Sequence, residues 1–145
     1  MHRNTLHLLL TQRPTTVFVK EGVRHYTAKI RPFADLKILE PRTEKKFAEQ
    51  CQKLEKKTLT IVLEERGRQF NSESFAKTWE TLIQQKARDI SFLIGGPHGF
   101  PYQPRADLSL SLSNFTYNHE LVPLVLLEQI YRAYSILKGL PYHHA

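Results

Sequence analysis

The residues that decide the fold are Asp89-Ile90-Ser91-Phe92-Leu93-Ile94-Gly95-Gly96-Pro97-His98-Gly99. Residues 90–94 are apolar apart from one serine, which predicts a buried β-strand. Three of the chain's six glycines follow this strand within five positions. Such a cluster lets the backbone approach a ligand or another segment closely, although a plain tight turn is the commoner explanation.

Further strands and helices are predicted on either side of this stretch. The strands cover Thr5–Leu10, Leu36–Glu40, Leu59–Leu63, Ile90–Ile94 and Leu108–Leu112, and the helices run from about Thr16 to Ile30, Glu44 to Lys57, Ser72 to Lys86 and Leu121 to Leu137. The charged residues 64–68 between them are predicted to form a loop. Strands that alternate with helices are typical of an α/β domain with a mainly parallel sheet and helices on both faces.

Length, charge and cysteine content narrow the class of protein. The chain has 145 residues, which fits one domain, and a formal net charge of +7, which points to a polyanionic partner such as a nucleic acid or an anionic membrane surface. The single cysteine, Cys51, cannot form an intramolecular disulfide, so a reducing compartment, the cytoplasm, is favoured. Cys51 shares a helical stripe with Phe47 and Leu54, which favours a structural role over a reactive one. No apolar run reaches the roughly 20 residues that a membrane helix needs.

The last predicted helix carries an unusual apolar pattern. Its first two turns contain the apolar residues Leu121, Val122, Leu124, Val125, Leu126, Leu127 and Ile130. A helix that is apolar on every side is expected to be buried all round, either by a second subunit in a two-fold dimer or as the central helix of a monomer. Pro123 is tolerated only near a first turn, which places the helix start near Asn118 or His119.

Several common catalytic motifs are missing from the sequence. It contains neither a phosphate-binding Gly-x-x-x-x-Gly-Lys-Ser/Thr loop, nor a dinucleotide-binding glycine motif after the first strand, nor a Gly-x-Ser-x-Gly elbow. The seven histidines do not show the spacing of a zinc site, so no metal is expected. In open α/β sheets ligands bind beyond the carboxyl ends of the strands, so the loops after the third, fourth and fifth strands are the candidate ligand site.

Four segments together resemble the RlmH type of ribosomal RNA methyltransferase, a family of the SPOUT class. They are Val62-Leu63-Glu64-Glu65-Arg66-Gly67-Arg68, the stretch 89–99 quoted above, Leu108-Ser109-Leu110-Ser111-Leu112-Ser113, and Glu128-Gln129-Ile130-Tyr131-Arg132-Ala133-Tyr134-Ser135-Ile136 with Pro141-Tyr142-His143. The resemblance covers the chain from about Thr58 to the end, and the first third matches only in length and strand order.

The resemblance implies a single SPOUT-like domain over residues 1–145, with a C-terminal trefoil knot in the part from about 58 to 145 that binds the cofactor. It implies a homodimer that takes S-adenosylmethionine as methyl donor and methylates N3 of a pseudouridine in 23S rRNA of the ribosome. The implied cofactor-binding residues are Leu63, Gly95, Gly96, Ser113, Asn114, Phe115, Thr116, Tyr117 and Asn118. The candidate catalytic residues are His119, Tyr142 and His143, since a base near the target would help N3 lose its proton.

The chain departs from the family's pattern at a few positions. His144 replaces an arginine in the tail, and Tyr117-Asn118-His119-Glu120 stands where the family has Leu-Pro-His-Pro. Two other hypotheses therefore stay open. The same fold could act on a tRNA or on another rRNA uridine, or the chain could be a non-catalytic basic module that binds rRNA.

Overall fold

The computed structural model describes residues 3–85 and 89–144. Its strands are β1 (Thr5–Leu10), β2 (Asp35–Leu39), β3 (Leu59–Arg68), β4 (Ile90–Ile94) and β5 (Leu108–Leu110). Its helices are α1 (Val17–Ile30), α2 (Glu44–Lys57), α3 (Ser72–Gln85) and α4 (Leu121–Lys138). Every predicted strand and helix is confirmed, with shifts at some ends; the predicted last residue of α3, Lys86, lies outside the described residues.

The strands form one parallel sheet in the order β2-β1-β4-β3-β5. The chain passes from β1 outward to β2 on one side, and the remaining strands lie on the other side of β1. The strand order therefore reverses between β1 and β4. Ligands of open α/β sheets bind at such a switch point, at the carboxyl ends of the strands.

Helices cover both faces of the sheet, as the alternating pattern predicts. On one face α1, α3 and α4 pack against alternate residues of β1, β3 and β4, and Trp79 of α3 stacks on Phe92 with ring centroids 5.9 Å apart. On the other face α2 presents Phe47, Cys51 and Leu54 to Leu9, Val62 and Leu93. Cys51 is fully buried, and burial raises the pKa of its thiol to about 11, which agrees with a structural role.

Strand β3 is longer than the sequence predicts, and β5 is shorter. Residues 64–68 belong to β3, because Leu110 of β5 lies opposite Leu63 and again opposite Arg68. The intervening residues bulge away from the sheet and return to it. The prediction of a loop over 64–68 is therefore wrong, since the pairing that orders this charged segment comes from a strand about 45 residues later in the sequence.

Helix α4 begins at Leu121, which confirms the predicted helix bounds, whereas the start near Asn118 or His119 inferred from Pro123 is two to three residues too early; Pro123 is the third residue of the helix. Within one chain, its apolar residues are not buried all round. Leu126, Leu127 and Ile130 are buried against the sheet, whereas Leu121 and Val125 are only half-buried. The predicted all-round burial of this helix is therefore not met within one chain. In the described part of the chain, no helix is long and apolar enough to cross a membrane.

Candidate functional site

The end of β3 closes tightly over β5. A Cβ placed on Gly67 would lie 2.7 Å from the carbonyl carbon of Leu110 and 2.8 Å from that of Ser109. The amide of Ser111 donates to the carbonyl of Arg68 at 2.9 Å, which holds the two segments together. Only glycine fits at position 67, because a side chain there would meet backbone that cannot rotate away.

The loop after β5, residues 111–118, is fastened to the end of β3 by Gln69. The amide nitrogen of Gln69 donates to Asn114 Oδ1 at 2.8 Å and to Ser111 Oγ at 3.3 Å. A hydrogen bond within the loop also stabilises it, since the amide of Phe115 donates to Ser113 Oγ at 3.0 Å. Phe115 stands at the tip of the loop with 81% of its surface exposed, which is far more than a core aromatic shows.

The glycine cluster after β4 forms a closed turn. The amide of Gly99 donates to the carbonyl of Gly96 at 3.0 Å, and the two glycines form an antiparallel bridge. A Cβ on Gly95 would lie 3.1 Å from the carbonyl group of Gly99, and one on Gly96 would lie 3.0 Å from Thr11 Oγ1. The absence of side chains at Gly95 and Gly96 therefore lets the turn close on itself and pack against the segment that follows β1.

A cavity of about 230 Å³ adjoins the glycine turn at the switch point between β1 and β4. Its walls include the turn itself, the residues Thr11 and Gln12 that follow β1, and Arg42 and Thr43 at the start of α2. The amide of Thr11 donates to the carbonyl of Ile94 at 3.0 Å, so the ends of β1 and β4 are held side by side. Thr11 and Gln12 could have been predicted from the rule that ligands bind at the carboxyl ends of the strands where the strand order reverses, because these two residues directly follow β1.

His119 lies in the turn between the loop 111–118 and α4, and it is half-buried. Its neighbour Glu120 fixes the start of α1, accepting the amides of Thr15 and Thr16 at 3.0 and 2.9 Å. The hydrogen bond from the Thr16 amide lowers the pKa of Glu120 to about 2. The entry to α4 is thereby tied to the loop after β1.

Tyr142 and His143 lie in the tail after α4 and are held by a polar network. Gly139 ends α4 with a positive φ of 68°, which turns the tail back along the helix. Tyr142 Oη donates to Glu128 Oε2 at 2.7 Å, and Arg132 donates to the same oxygen at 2.8 Å. Arg132 also lies 3.1 Å from His143 Nδ1.

This network sets the hydrogen-bonding roles of both tail residues. Burial, the Tyr26 hydroxyl at 3.1 Å and the Glu128 carboxylate raise the pKa of Tyr142, so its hydroxyl is a hydrogen-bond donor at neutral pH. A guanidinium can only donate, so His143 Nδ1 accepts from Arg132, and the proton of the neutral ring lies on Nε2. Tyr142 is therefore suited to donate a hydrogen bond rather than to give up its proton or to remove one.

The predicted cofactor-binding residues lie at one edge of the sheet, the edge where β3, β4 and β5 end. Hydrogen bonds join the segments after β3 and β5 directly, and the glycine turn after β4 contacts Thr11 and Gln12. His119 is at the same edge. Tyr142 and His143 lie beside the middle of α4, at Glu128 and Arg132, and His143 Nε2 is 3.6 Å from Glu73 Oε1 in the first turn of α3. No hydrogen bond or ion pair among the described residues joins His119 to Tyr142 or His143.

Sequence reasoning missed Gln69, Arg42 and Thr43. Gln69 has no motif of its own, and its role depends on the pairing of β3 with β5. In the described part of the chain, no group of three His, Cys, Asp or Glu side chains is placed to hold a metal ion.

The parallel sheet, the glycine turn at its carboxyl edge and the closed β3–β5 crossing define an α/β domain with a candidate ligand site made from loops. A family model described as a predicted SPOUT methyltransferase matches residues 5–143. The chain belongs to this family, and it is therefore a methyltransferase.

Relatives match over nearly the whole chain. A protein of Geobacter metallireducens named ribosomal RNA large subunit methyltransferase H is 36% identical over 152 aligned positions, which cover 97% of this chain and 99% of the relative. A protein of the same name from Cytophaga hutchinsonii is 35% identical over 153 positions, covering 96% and 99%. One from Christiangramia forsetii is 44% identical over 86 positions, covering 58% of this chain and 55% of that protein.

Proposed function

We propose that this chain is an S-adenosylmethionine-dependent methyltransferase of the large ribosomal subunit that methylates N3 of a pseudouridine in 23S rRNA. The names of the relatives support a ribosomal RNA substrate, because their alignment extends over both chains nearly end to end. The net charge of +7 supports a polyanionic substrate independently of any relative.

The observation that carries the proposal is the cradle at the carboxyl edge of the sheet. Gly95 and Gly96 let the turn after β4 pack closely against Gly99 and Thr11, and Gly67 lets β3 cross close to β5. The loop 113–118 adds hydroxyl and amide groups that suit the ribose and adenine of S-adenosylmethionine. The residues at Leu63, Gly95, Gly96 and 113–118 therefore fit this cofactor, and a trefoil knot through the β3–β5 crossing is the topology we propose for it.

The chemistry demands mainly positioning. When bound, S-adenosylmethionine supplies a methyl group already activated by its sulfonium. The protein must hold the target N3 in line with that methyl group and help N3 lose its proton, and positioning contributes the larger share of the rate. We assign His119 as the candidate base, since it lies beside the 113–118 loop, and a positioned base adds about 10²- to 10⁴-fold.

A homodimer supplies the rest of the site. In this proposal the tail residues Tyr142 and His143, held at Glu128 and Arg132 of α4, belong to the site that the dimer completes. Exposed apolar side chains support a contact between copies, since Val17 and Phe18 in the first turn of α1 are 67% and 62% exposed. They begin a helix that packs against α4, in which Leu121 and Val125 are only half-buried.

We further propose that the chain is one domain and acts in the cytoplasm. The partners of the dimer are then rRNA and the ribosome, with no membrane and no metal. A reducing compartment suits a single buried cysteine.

Calorimetry on cofactor-stripped protein tests the proposal. We expect S-adenosylmethionine to bind with one site per chain, and Gly96→Val to abolish binding because its side chain would fill the turn beside Thr11. Absence of binding by the unaltered chain would refute the cofactor and favour a non-catalytic rRNA-binding module. Mapping of modified nucleosides then separates 23S pseudouridine from a tRNA or another rRNA uridine.

A further inference from the structure

A second cavity, of about 270 Å³, opens on the face of the sheet that carries α1. Its floor is aliphatic and is formed by Leu8 and Leu10 of β1, Ile38 of β2, Val23 of α1 and Pro123 of α4. We call this cavity the α1 groove. It is separate from the glycine turn and from the loop 113–118, because none of those residues lines it.

The rim of the α1 groove is strongly cationic. Arg13, Lys20 and Arg24 line it, and Glu40 is the acidic residue among them. Arg13 lies 3.8 Å from the Glu40 carboxylate, which leaves the rim with an excess of two positive charges. Lys20 and Arg24 are exposed and form no ion pair within residues 3–85 and 89–144.

An aliphatic floor beneath unpaired cations is suited to a ligand with an apolar face and an anionic group. A nucleotide of single-stranded RNA has both, since its base and ribose can cover the floor while its phosphate meets the rim. The groove also lies at the carboxyl edge of the sheet, because Leu10 and Ile38 are at or near the ends of β1 and β2. β1 is the direct neighbour of β4, so the floor of the groove lies one to two strand positions from the strand that carries the glycine turn, and the cavity at that turn opens on the other face of the sheet, where Phe47 of α2 lines it.

The geometry points to the α1 groove as a second RNA-binding site, which holds a nucleotide next to the one that is methylated. Lys20 and Arg24 contact its phosphate, and the aliphatic floor contacts its base or ribose. This inference rests on the proposed function for the identity of the RNA, and it adds residues that the cofactor site does not use.

The test compares two variants of equal charge change. Lys20→Gln/Arg24→Gln removes both cations from the groove, and Lys45→Gln/Lys53→Gln removes two exposed lysines from α2, on the opposite face of the sheet. The probe is large ribosomal subunits from cells that lack this chain, and affinity is measured by filter binding between 50 and 200 mM salt. S-adenosylmethionine binding by calorimetry is the readout that the groove variant should leave within twofold.

The groove variant should bind about 2- to 30-fold more weakly, since each exposed charge contact contributes up to about a factor of five. Its slope of log affinity against log salt should be shallower by about 1.4, because each single-strand phosphate contact contributes about 0.7. Val23→Trp, which fills the floor without changing charge, should weaken binding with the slope unchanged. The α2 variant should change both quantities by less than half as much.

Unchanged affinity and slope in the groove variant would overturn the inference, as would an equal loss in the α2 variant. The inference would also be overturned if the groove variant kept its affinity for RNA but no longer bound an acidic protein segment of the subunit. The proposed function fails on a different result, the absence of methyl transfer by the unaltered chain. If Val23→Trp does not fold, the charge-pair comparison still decides.

Discussion

Replacement of Gly67 by alanine should open the crossing of β3 over β5. The new Cβ would lie 2.7 Å from backbone of Leu110, and an ordinary contact begins at 3.4 Å, so the two segments must separate by about 0.7 Å. Overpacking of this kind costs about 1–3 kcal/mol. Loss of the bond from the Ser111 amide to the Arg68 carbonyl adds about 0.5–1.5 kcal/mol.

The total of about 1.5–4.5 kcal/mol converts to a lower melting temperature. Unfolding entropy of about 2.1 cal/mol/K per residue gives about 3 °C per kcal/mol for a chain of 145 residues. We therefore expect Gly67→Ala to melt about 5–14 °C lower in scanning calorimetry at fixed protein concentration. Its affinity for S-adenosylmethionine should fall at least tenfold at a temperature where the variant is folded.

Gly96→Ala is the matched control. Its Cβ meets the Thr11 hydroxyl at 3.0 Å and the Gln12 side chain at 3.2 Å, and side chains can rotate away where backbone cannot. Its melting temperature should change by less than about 3 °C. If Gly67→Ala melts within 1 °C of the unaltered chain and binds the cofactor within twofold, the argument that the crossing depends on glycine is refuted.

Two substitutions and one chemical labelling experiment test other parts of the structure. Glu120→Gln should lower the free energy of unfolding above pH 4.5, and the difference from the unaltered chain should shrink as the pH falls toward 2. The reason is that a carboxylate with a lowered pKa in the folded state contributes stability that is lost as it becomes protonated. Urea unfolding at several pH values measures this difference, and a difference that does not change with pH would contradict the prediction. Cys51, with its pKa raised to about 11 by burial, should resist iodoacetamide at pH 8 until denaturant is added, and a mass shift of the native chain would count against this. Tyr142→Phe loses its hydrogen bond to Glu128, so the rate of methyl transfer should fall more than tenfold, whereas the melting temperature should fall by no more than about 5 °C. If the rate falls only as far as the fraction of folded protein does, Tyr142 has a structural role only.

The secondary structure could be predicted well because hydrophobic periodicity was unambiguous. Residues 90–94 are apolar apart from Ser91 and are buried on both sides, and the spacing of Phe47, Cys51 and Leu54 matches one face of α2. The predicted bounds of β1, α2 and β4 agree with the structure residue for residue. These features depend only on neighbours in sequence.

What could not be predicted depends on pairing between distant segments. The strand order β2-β1-β4-β3-β5 cannot be deduced from the sequence of any single strand. The charged residues 64–68 look like a loop in the sequence, because it is pairing with the distant Leu110 that orders them. The same holds for the site. Gly67 was recognised only through a family motif, and the contact of Gly96 with Thr11 needed the switch between β1 and β4 to be known.

The most direct test of the account is methyl transfer from labelled S-adenosylmethionine to large ribosomal subunits from cells that lack this chain, followed by mass mapping of the nucleosides. The account predicts one methyl group per subunit, on N3 of a pseudouridine in 23S rRNA, and its loss with Gly96→Val. Transfer of no methyl group to the subunit, or transfer only to tRNA, would contradict it.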